Sequence, residues 1–430
     1  MRLIAGAGLA GLSAAYHLGE RNYRIIEKGD RPGGLCRTEK KDGFLFDYGG
    51  HLLHVRNDYV NSLARELLGD ELITHQRRAS IYSYNAFTPY PFQANTYGLP
   101  AEVVRDCLVG YVQAITESLL ESFRPANFRE WVYYTFGKGF AEHFFMPWNQ
   151  KFFKTGLDEI AIDWVSWAIP RPGLREVVNG ALGIQDSEFG YNAEFYYPED
   201  GIEALPRALA KELQQPVETG TSLVEVIPAE HRALLSTGEE VYFDTLISTV
   251  PLPELVRMVK DVPADIREAA DRLRVLSVLC VNLGITGPPL TDRHWIYIPG
   301  PEYSFHRIGV YSNFTPGAED RSSLYLEISL PGVLSHEQKA GLAGEVDKAV
   351  AEFKSLPLWD EDKHKIELAD TFLIDYGYVL YDHARAECVE KILAYLRENS
   401  IEPAGRYGRW EYSTMEDAIL EGREAAEAAR

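Results

Sequence analysis

Apolar positions open the chain as a short run, Arg2-Leu3-Ile4-Ala5, that breaks at a glycine cluster and resumes as Tyr23-Arg24-Ile25-Ile26. Between the runs, Gly6-Ala7-Gly8-Leu9-Ala10-Gly11 reads as a turn and Leu12 to Leu18 as a helix of small residues. Strand, turn, helix and strand in that order form a βαβ unit. Val60, Leu63, Leu67 and Leu68 share one face and predict helix over 56–74. Residues 78–95 alternate and carry Pro89 and Pro91, which predicts strand and turn. From 100 to 182 the pattern turns helical and aromatic, with Val103, Val104, Leu108, Tyr111, Val112, Ile115 and Leu119 forming one stripe. Residues 217–250 predict a run of strands, and 275–285, 294–299, 305–312 and 323–330 predict four more. Helix is predicted over 335–355 and again from Ser413 to Arg430. No internal repeat or linker interrupts these elements, so the structural units are expected to interleave.

Composition narrows the class. The 430 residues are 46% hydrophobic and 25% charged, a globular mixture of about three domain-sized units. No apolar run reaches about 18 residues, so no membrane-spanning helix is expected. The first apolar run is too short for a leader peptide. Lys and Arg number 43 against 64 Asp and Glu, a net charge of −21, which disfavours nucleic acid and anionic lipid as partners. A few clustered arginines can still reverse the local field for a small anionic ligand. Cys36, Cys107, Cys280 and Cys388 are scattered. Neither a metal site nor a disulfide framework is expected, and a cytoplasmic location is. The 25 Tyr and 7 Trp suit either core packing or an aromatic-lined cleft.

Gly6-x-Gly8-x-x-Gly11 follows a strand, opens a helix and is answered by Glu27. In that context the glycines bring backbone N–H groups onto a pyrophosphate, and the acidic residue accepts from a ribose diol. A second signal, Arg31-Pro32-Gly33-Gly34-Leu35-Cys36-Arg37-Thr38, resembles the diphosphate-binding segment of FAD proteins of the amine-oxidase and glutathione-reductase-like superfamily. It implies that Gly33 and Gly34 lay a further backbone stretch on the diphosphate, with Arg37 as counter-charge. Leu223-Val224-Glu225 followed by Asp244 to Pro251 resembles the strand pair that closes the adenine pocket there, and places Val224 at the cofactor. FAD is therefore the expected cofactor, bound without a covalent link.

Four further segments narrow the resemblance: Tyr48-Gly49-Gly50-His51, Tyr90-Pro91-Phe92-Gln93, the stretch from Trp295 through His306-Arg307 to Phe314, and Gly405 to Tyr412. In this order, and with the weaker Met146-Pro147-Trp148-Asn149 and Tyr191 to Phe195, they resemble UDP-galactopyranose mutases, the eukaryotic type more than the bacterial. The resemblance implies His51 beside the flavin and the Gly50 carbonyl facing flavin N5. Arg307 and Arg406 would clamp the substrate diphosphate, and Tyr297, Tyr378 and Tyr412 would reach it with their hydroxyls. Tyr90, Phe92, Gln93 and Asn149 would lie on the base side, and Asn192 near the sugar. Phe153 stands where the eukaryotic enzymes carry a tryptophan, and leaves room for a larger base. Phe314 replaces a tyrosine.

The fold so implied is α/β, a Rossmann-like FAD-binding domain with interleaved helical and antiparallel β-sheet substrate domains. The FAD part would comprise 1–75, 192–262 and 370–430, the helical part 100–185, and the sheet part 76–99 and 263–369. The implied reaction is a net non-redox pyranose–furanose isomerisation of a nucleotide-diphosphate hexose, UDP-galactopyranose first and a GDP-hexose second. Reduced flavin supplies the nucleophile through N5, and NAD(P)H is a candidate reductant. Such chemistry needs neither metal nor a Ser/His/Asp set. The competing reading is an amine-oxidase-like or desaturase-like oxidoreductase working from oxidised FAD. Self-association is also expected as an option.

Overall fold

The computed structural model describes residues 1–120, 123–184, 194–315 and 320–429. A five-stranded parallel sheet gathers segments from across the chain in the order Ile401–Pro403, Thr245–Ser248, Arg2–Ala5, Tyr23–Ile26 and Val217–Glu218. Its central strand is buried on both faces, as a parallel sheet requires, with Leu3 and Ile4 fully enclosed. The helices Leu9–Leu18 and Met415–Ala428 pack against one another, so closely that a Cβ on Gly422 would lie 2.2 Å from the Ala10 carbonyl oxygen. Small side chains are what permit that approach.

A separate antiparallel sheet joins Leu223–Ile227, Arg232–Leu235 and Glu240–Tyr242. This corrects the expected strand pair. Leu223–Ile227 pairs with Arg232–Leu235, whereas Thr245–Ser248 lies in the parallel sheet beside Arg2–Ala5.

The largest sheet has seven strands, ordered Lys365–Val379, Val275–Thr286, Arg321–Pro331, Arg307–Val310, Trp295–Tyr297, Ala79–Ser83 and Ala86–Pro89. Alternation along its strands sorts side chains between two faces. Leu279, Val281, Leu324 and Leu326 pack with Phe353 of the helix Ala343–Lys354. Cys280, Tyr325 and Phe372 face the opposite way, into a core shared with Leu9 and Phe46 near the glycine turn. Glu327 pairs directly with Cys280 across the ladder and with Arg307 on the other side. The 15-residue strand Lys365–Val379 was not anticipated from the sequence.

The expected helix over 56–74 ends earlier. Asn57 caps it through hydrogen bonds from Tyr59 and Val60, and Gly69, at φ 53°, terminates it. Residues Leu72–Gln76 become a strand paired with Glu194–Pro198. The helical layer comprises Ala101–Leu120, Phe128–Phe140, a π-helical turn Ala141–Phe145 and Met146–Phe153. It packs around Phe92, Phe136, Phe140, Phe144 and Phe145. No helix among the described residues is long and apolar enough to cross a membrane.

Candidate active site

The dinucleotide cradle is built by backbone approach. Gly6 adopts φ 99°, and a Cβ on Gly11 would sit 1.9 Å from the Gly6 carbonyl oxygen. Only glycines let the helix Leu9–Leu18 start this close to the strand. Among the described residues no side chain caps that helix at Gly8, so its first N–H groups remain for an anion. Gly33 and Gly34 close the cradle: Gly33 N donates to the Ala7 carbonyl at 2.8 Å, and a Cβ on Gly34 would lie 3.1 Å from Gly8 Cα. Glu27 accepts from Ala7 N and Gly29 N, both at 2.8 Å, which fixes its carboxylate at the end of the second strand. Arg37 covers this turn, donating to the Arg31 carbonyl at 2.6 Å, while its buried Nε has no partner among the described residues. Val224 is exposed beside the segment whose Thr221 N donates to the Glu27 carbonyl. These residues fit the diphosphate and ribose of a dinucleotide such as FAD.

At the other end, Tyr378 brings the two expected arginines together. Its hydroxyl accepts from Arg307 Nη2 at 3.0 Å, and its ring lies 5.3 Å from the Arg406 guanidinium. Tyr412 covers Arg406 at 4.5 Å, with the two tyrosine rings within 13° of parallel. Arg406 spends one nitrogen on the Ser413 carbonyl at 3.3 Å, and its Nε and Nη2 are buried without partners among the described residues. Two buried, charged donors without partners in one guanidinium suit an anion.

Arg307 is different. Its Nε donates to Glu327 Oε2 at 2.7 Å, its Nη2 also reaches that oxygen, and Tyr378 donates to Glu327 Oε1 at 2.7 Å. Burial works to raise the Glu327 pKa, but Arg307 and then His306 overcome it and hold the carboxyl below its ordinary range. The Tyr378 hydroxyl, expected to reach a substrate diphosphate, is engaged by both Arg307 and Glu327 in this structure.

The Gly49-Gly50-His51 turn sits over this group. A Cβ on Gly50 would meet the Tyr325 hydroxyl at 2.3 Å and Arg307 Nη2 at 3.9 Å. Burial, then the nearby charge of Arg406, lowers the His51 pKa to about 4, so the imidazole is neutral near neutral pH.

Aromatic contacts continue from Tyr378 toward the residues expected on the base side. Tyr90 lies 5.1 Å from Tyr297, Trp148 lies 5.5 Å from Tyr297, and Phe152 lies 4.7 Å from Tyr378. Phe92 is fully buried against Phe144, so its ring is core rather than an exposed platform. Gln93 Nε2 donates to the Pro170 carbonyl at 2.6 Å and Asn149 Nδ2 to the Phe145 carbonyl at 2.8 Å. Phe153 is boxed by Phe128, Phe152 and Trp164, with centroids 4.9 to 6.0 Å away. The room expected beside a smaller ring is thus taken up by Trp164. Phe314 packs against Phe195 and Tyr197 in the core. Asn192 lies outside the described residues.

Sequence reasoning missed Glu327, Tyr325 and Trp148, whose Nε1 donates to the His306 carbonyl at 3.0 Å and so joins the helical layer to the strand of Arg307. A signal for Glu327 was present: one carboxylate within the apolar run Leu324-Tyr325-Leu326-Glu327-Ile328 needs a buried partner.

A dinucleotide cradle facing a buried cationic cleft defines a flavoprotein architecture. A profile of the flavin-containing amine oxidoreductases matches residues 9–368, and the chain belongs to that family. It is an enzyme of the FAD-dependent amine-oxidase superfamily. Its fold is that of reduced UDP-galactopyranose mutase, at TM-score 0.91 and 26% identity, covering 99% of this chain and 93% of that one. The fold alone is shared with putrescine oxidase (TM-score 0.67, 16% identity, 100% and 98% covered) and with a fatty acid isomerase of P. acnes (0.66, 16%, 98% and 97%). Coproporphyrinogen III oxidase of Staphylococcus aureus is 30% identical over 106 residues, 23% of this chain and 22% of that protein. The 4,4'-diapolycopene oxygenase of Methylomonas is 45% identical over 53 residues, 12% and 11% respectively. The chain thus matches less than a quarter of the length of either of these two curated relatives.

Proposed function

We propose that the chain converts a nucleotide-diphosphate hexose between its pyranose and furanose forms without net redox change. UDP-galactopyranose is the first choice of substrate and a GDP-hexose the second. The observation that carries this reading is the buried Arg406, which lies beside both the Tyr378 and Tyr412 rings with Nε and Nη2 unpaired among the described residues. A planar fork with two idle donors suits a phosphate better than an amine or a hydrocarbon. An amine-oxidase reading would place a cation in this cleft, next to a cation already buried there.

FAD, when bound in its reduced form, supplies the nucleophile for the anomeric carbon. The chain's own residues would do the remainder. Gly8, Gly33 and Gly34 would hold the cofactor diphosphate at the helix start, with Glu27 on the ribose. Arg406, and Arg307 beside it, would hold the substrate diphosphate and stabilise the charge that develops on it as the glycosyl bond opens. The wall of Tyr90, Tyr297, Trp148 and Phe152 would exclude water while the sugar is open. Neutral His51 would line the flavin side without adding charge. NAD(P)H is the proposed physiological reductant and the cytoplasm the proposed location.

The test is a panel of UDP-, GDP- and dTDP-hexoses offered to dithionite-reduced protein, with furanose products assayed. Furanose formed only after reduction is the expected result. Substrate oxidation by the unreduced protein, with no furanose from any donor, would replace this reading by the oxidoreductase one.

A further inference from the structure

Glu327 is 1% exposed and lies one strand away from Arg307, its direct cross-strand partner. Three hydrogen bonds reach its two oxygens. Oε2 takes Arg307 Nε and Nη2, while Oε1 takes the Tyr378 hydroxyl and has His306 Nε2 at 3.5 Å. Burial and Arg307 keep His306 from charging, although Glu327 favours its charged form. The cluster therefore sums to one cation and one anion in Arg307 and Glu327, with Arg406 left as the uncompensated charge. Nη1 of Arg307 has no hydrogen-bond partner among the described residues and is the part of the fork left for a ligand.

We propose that Glu327 is a positioning residue that aims the fork of Arg307 and cancels its charge, so that a bound nucleoside diphosphate meets one net positive charge instead of two. The proposal rests on the reading of this cleft as a diphosphate site. It follows from charge and burial. A buried arginine without a counter-ion is costly in the empty site, so Glu327 allows Arg307 to exist there before ligand arrives. Once ligand is present, the carboxylate competes with it for Arg307 and weakens the grip. A reaction in which the diphosphate leaves and returns gains nothing from holding the ground state harder than the transition state.

The experiment uses the FAD-loaded protein and three probes: UDP, GDP and inorganic pyrophosphate. Binding is measured by calorimetry at two salt concentrations for the wild type, Glu327→Gln, Glu327→Asp and Arg406→Gln. Glu327→Gln is expected to keep its FAD and to melt lower when empty. It should bind at least one probe roughly 5- to 30-fold more tightly, with a steeper salt dependence and a larger thermal shift on binding. In turnover its KM and kcat should both fall. Glu327→Asp, which lengthens the contact without removing the charge, should give an intermediate tightening, and it carries the test if Glu327→Gln does not hold FAD. A merely structural glutamate would lower stability and affinity together. Equal or weaker binding by the substituted proteins, with wild-type binding intact, overturns the proposal alone. If the wild type binds none of the probes, or Arg406→Gln binds them as well as the wild type, the diphosphate reading itself fails and takes the proposal with it.

Discussion

The guanidinium of Arg406 lies 4.5 Å from the ring of Tyr412, with two of its nitrogens buried and unpaired. The ring contact holds the guanidinium in place while two of its donors stay idle. Lysine cannot reproduce this, because it is a point charge without a plane. Arg406→Lys is expected to lower kcat/KM by about 10²- to 10³-fold, as for loss of one preorganised donor. Bound FAD, read from the flavin absorbance per protein, should stay unchanged. Full activity in this variant would remove Arg406 from the site.

Tyr325 is held between two glycines. A Cβ on Gly309 would lie 2.0 Å from its ring, and one on Gly50 would meet its hydroxyl at 2.3 Å but its ring carbon only at 3.4 Å. Gly50→Ala is therefore expected to lose about 1–3 kcal/mol of stability through overpacking, with weakened FAD binding. Adding Tyr325→Phe removes the colliding atom and should restore both. Thermal melts of the single and double variants decide this. A Gly50→Ala protein that melts like the wild type would show that the turn has room to move.

The parts of this architecture that could be read from the sequence are those whose partners are close in the chain. The strand, glycine turn and helix from Arg2 to Leu18 form a local unit, and Glu27 follows at the end of the next strand. Arg307 and Arg406 could be named from resemblance, but what each does depends on neighbours the chain brings from elsewhere. Glu327 reaches Arg307 across a strand ladder, and Tyr378 arrives from the long strand Lys365–Val379. That strand carries charged residues along its exposed face and Gly377 near its end, which hid it from a search for apolar runs. The expected pairing of the Leu223 and Thr245 segments failed for a similar reason. Both runs are apolar, and nothing local says which neighbour each strand takes.

Lys151 gives a pH signature unconnected with catalysis. Its ammonium donates to the carbonyls of Ile298 and Gly300 at 2.7 and 2.8 Å, tying the helix Met146–Phe153 to the large sheet. Burial lowers its pKa to about 7, with Glu302 and Glu352 opposing and Lys154 adding to the shift. An unfolded lysine titrates near about 10.4, so between these values the unfolded chain binds a proton that the folded one does not. Folding stability contributed at this site should rise with pH across that window, by at most about 1.4 kcal/mol per pH unit. Compared with Lys151→Met, the wild type should gain in melting temperature from about pH 7 to about pH 9.5. A difference that stays constant over that range would place the lysine in a wetter environment than its contacts indicate.

The base side makes a prediction about hydrogen-bond direction. Gln93 and Asn149 are both nearly fully buried, and each has an amide hydrogen committed to a backbone carbonyl, of Pro170 and Phe145 respectively. Those bonds orient the two amides; if both lie on the base side, as the resemblance implies, their carbonyl oxygens are the acceptors a base would meet. Uracil presents N3–H on its pairing edge, and guanine presents N1–H and an amino group. Cytosine presents a bare N3 between O2 and its 4-amino group, so at the N3 position a lone pair would stand where uracil offers a hydrogen. UDP should therefore outcompete CDP for the reduced protein by roughly tenfold, because an acceptor set for the uracil N3–H would face the cytosine N3 lone pair. GDP satisfies the same acceptors, so it is separated from UDP by size alone. The box of Phe128, Phe152 and Trp164 around Phe153 leaves less space for a purine than the smaller ring suggested. UDP is thus expected ahead of GDP, by less than its margin over CDP, and Trp164→Ala should narrow that smaller gap without changing the larger one. Competition of UDP, GDP and CDP against one fluorescent uridine diphosphate probe measures both gaps in a single series. Equal binding of UDP and CDP would mean that Gln93 and Asn149 do not read the base. GDP at or above UDP would move the substrate to a guanosine diphosphate sugar while leaving the role of Arg406 intact.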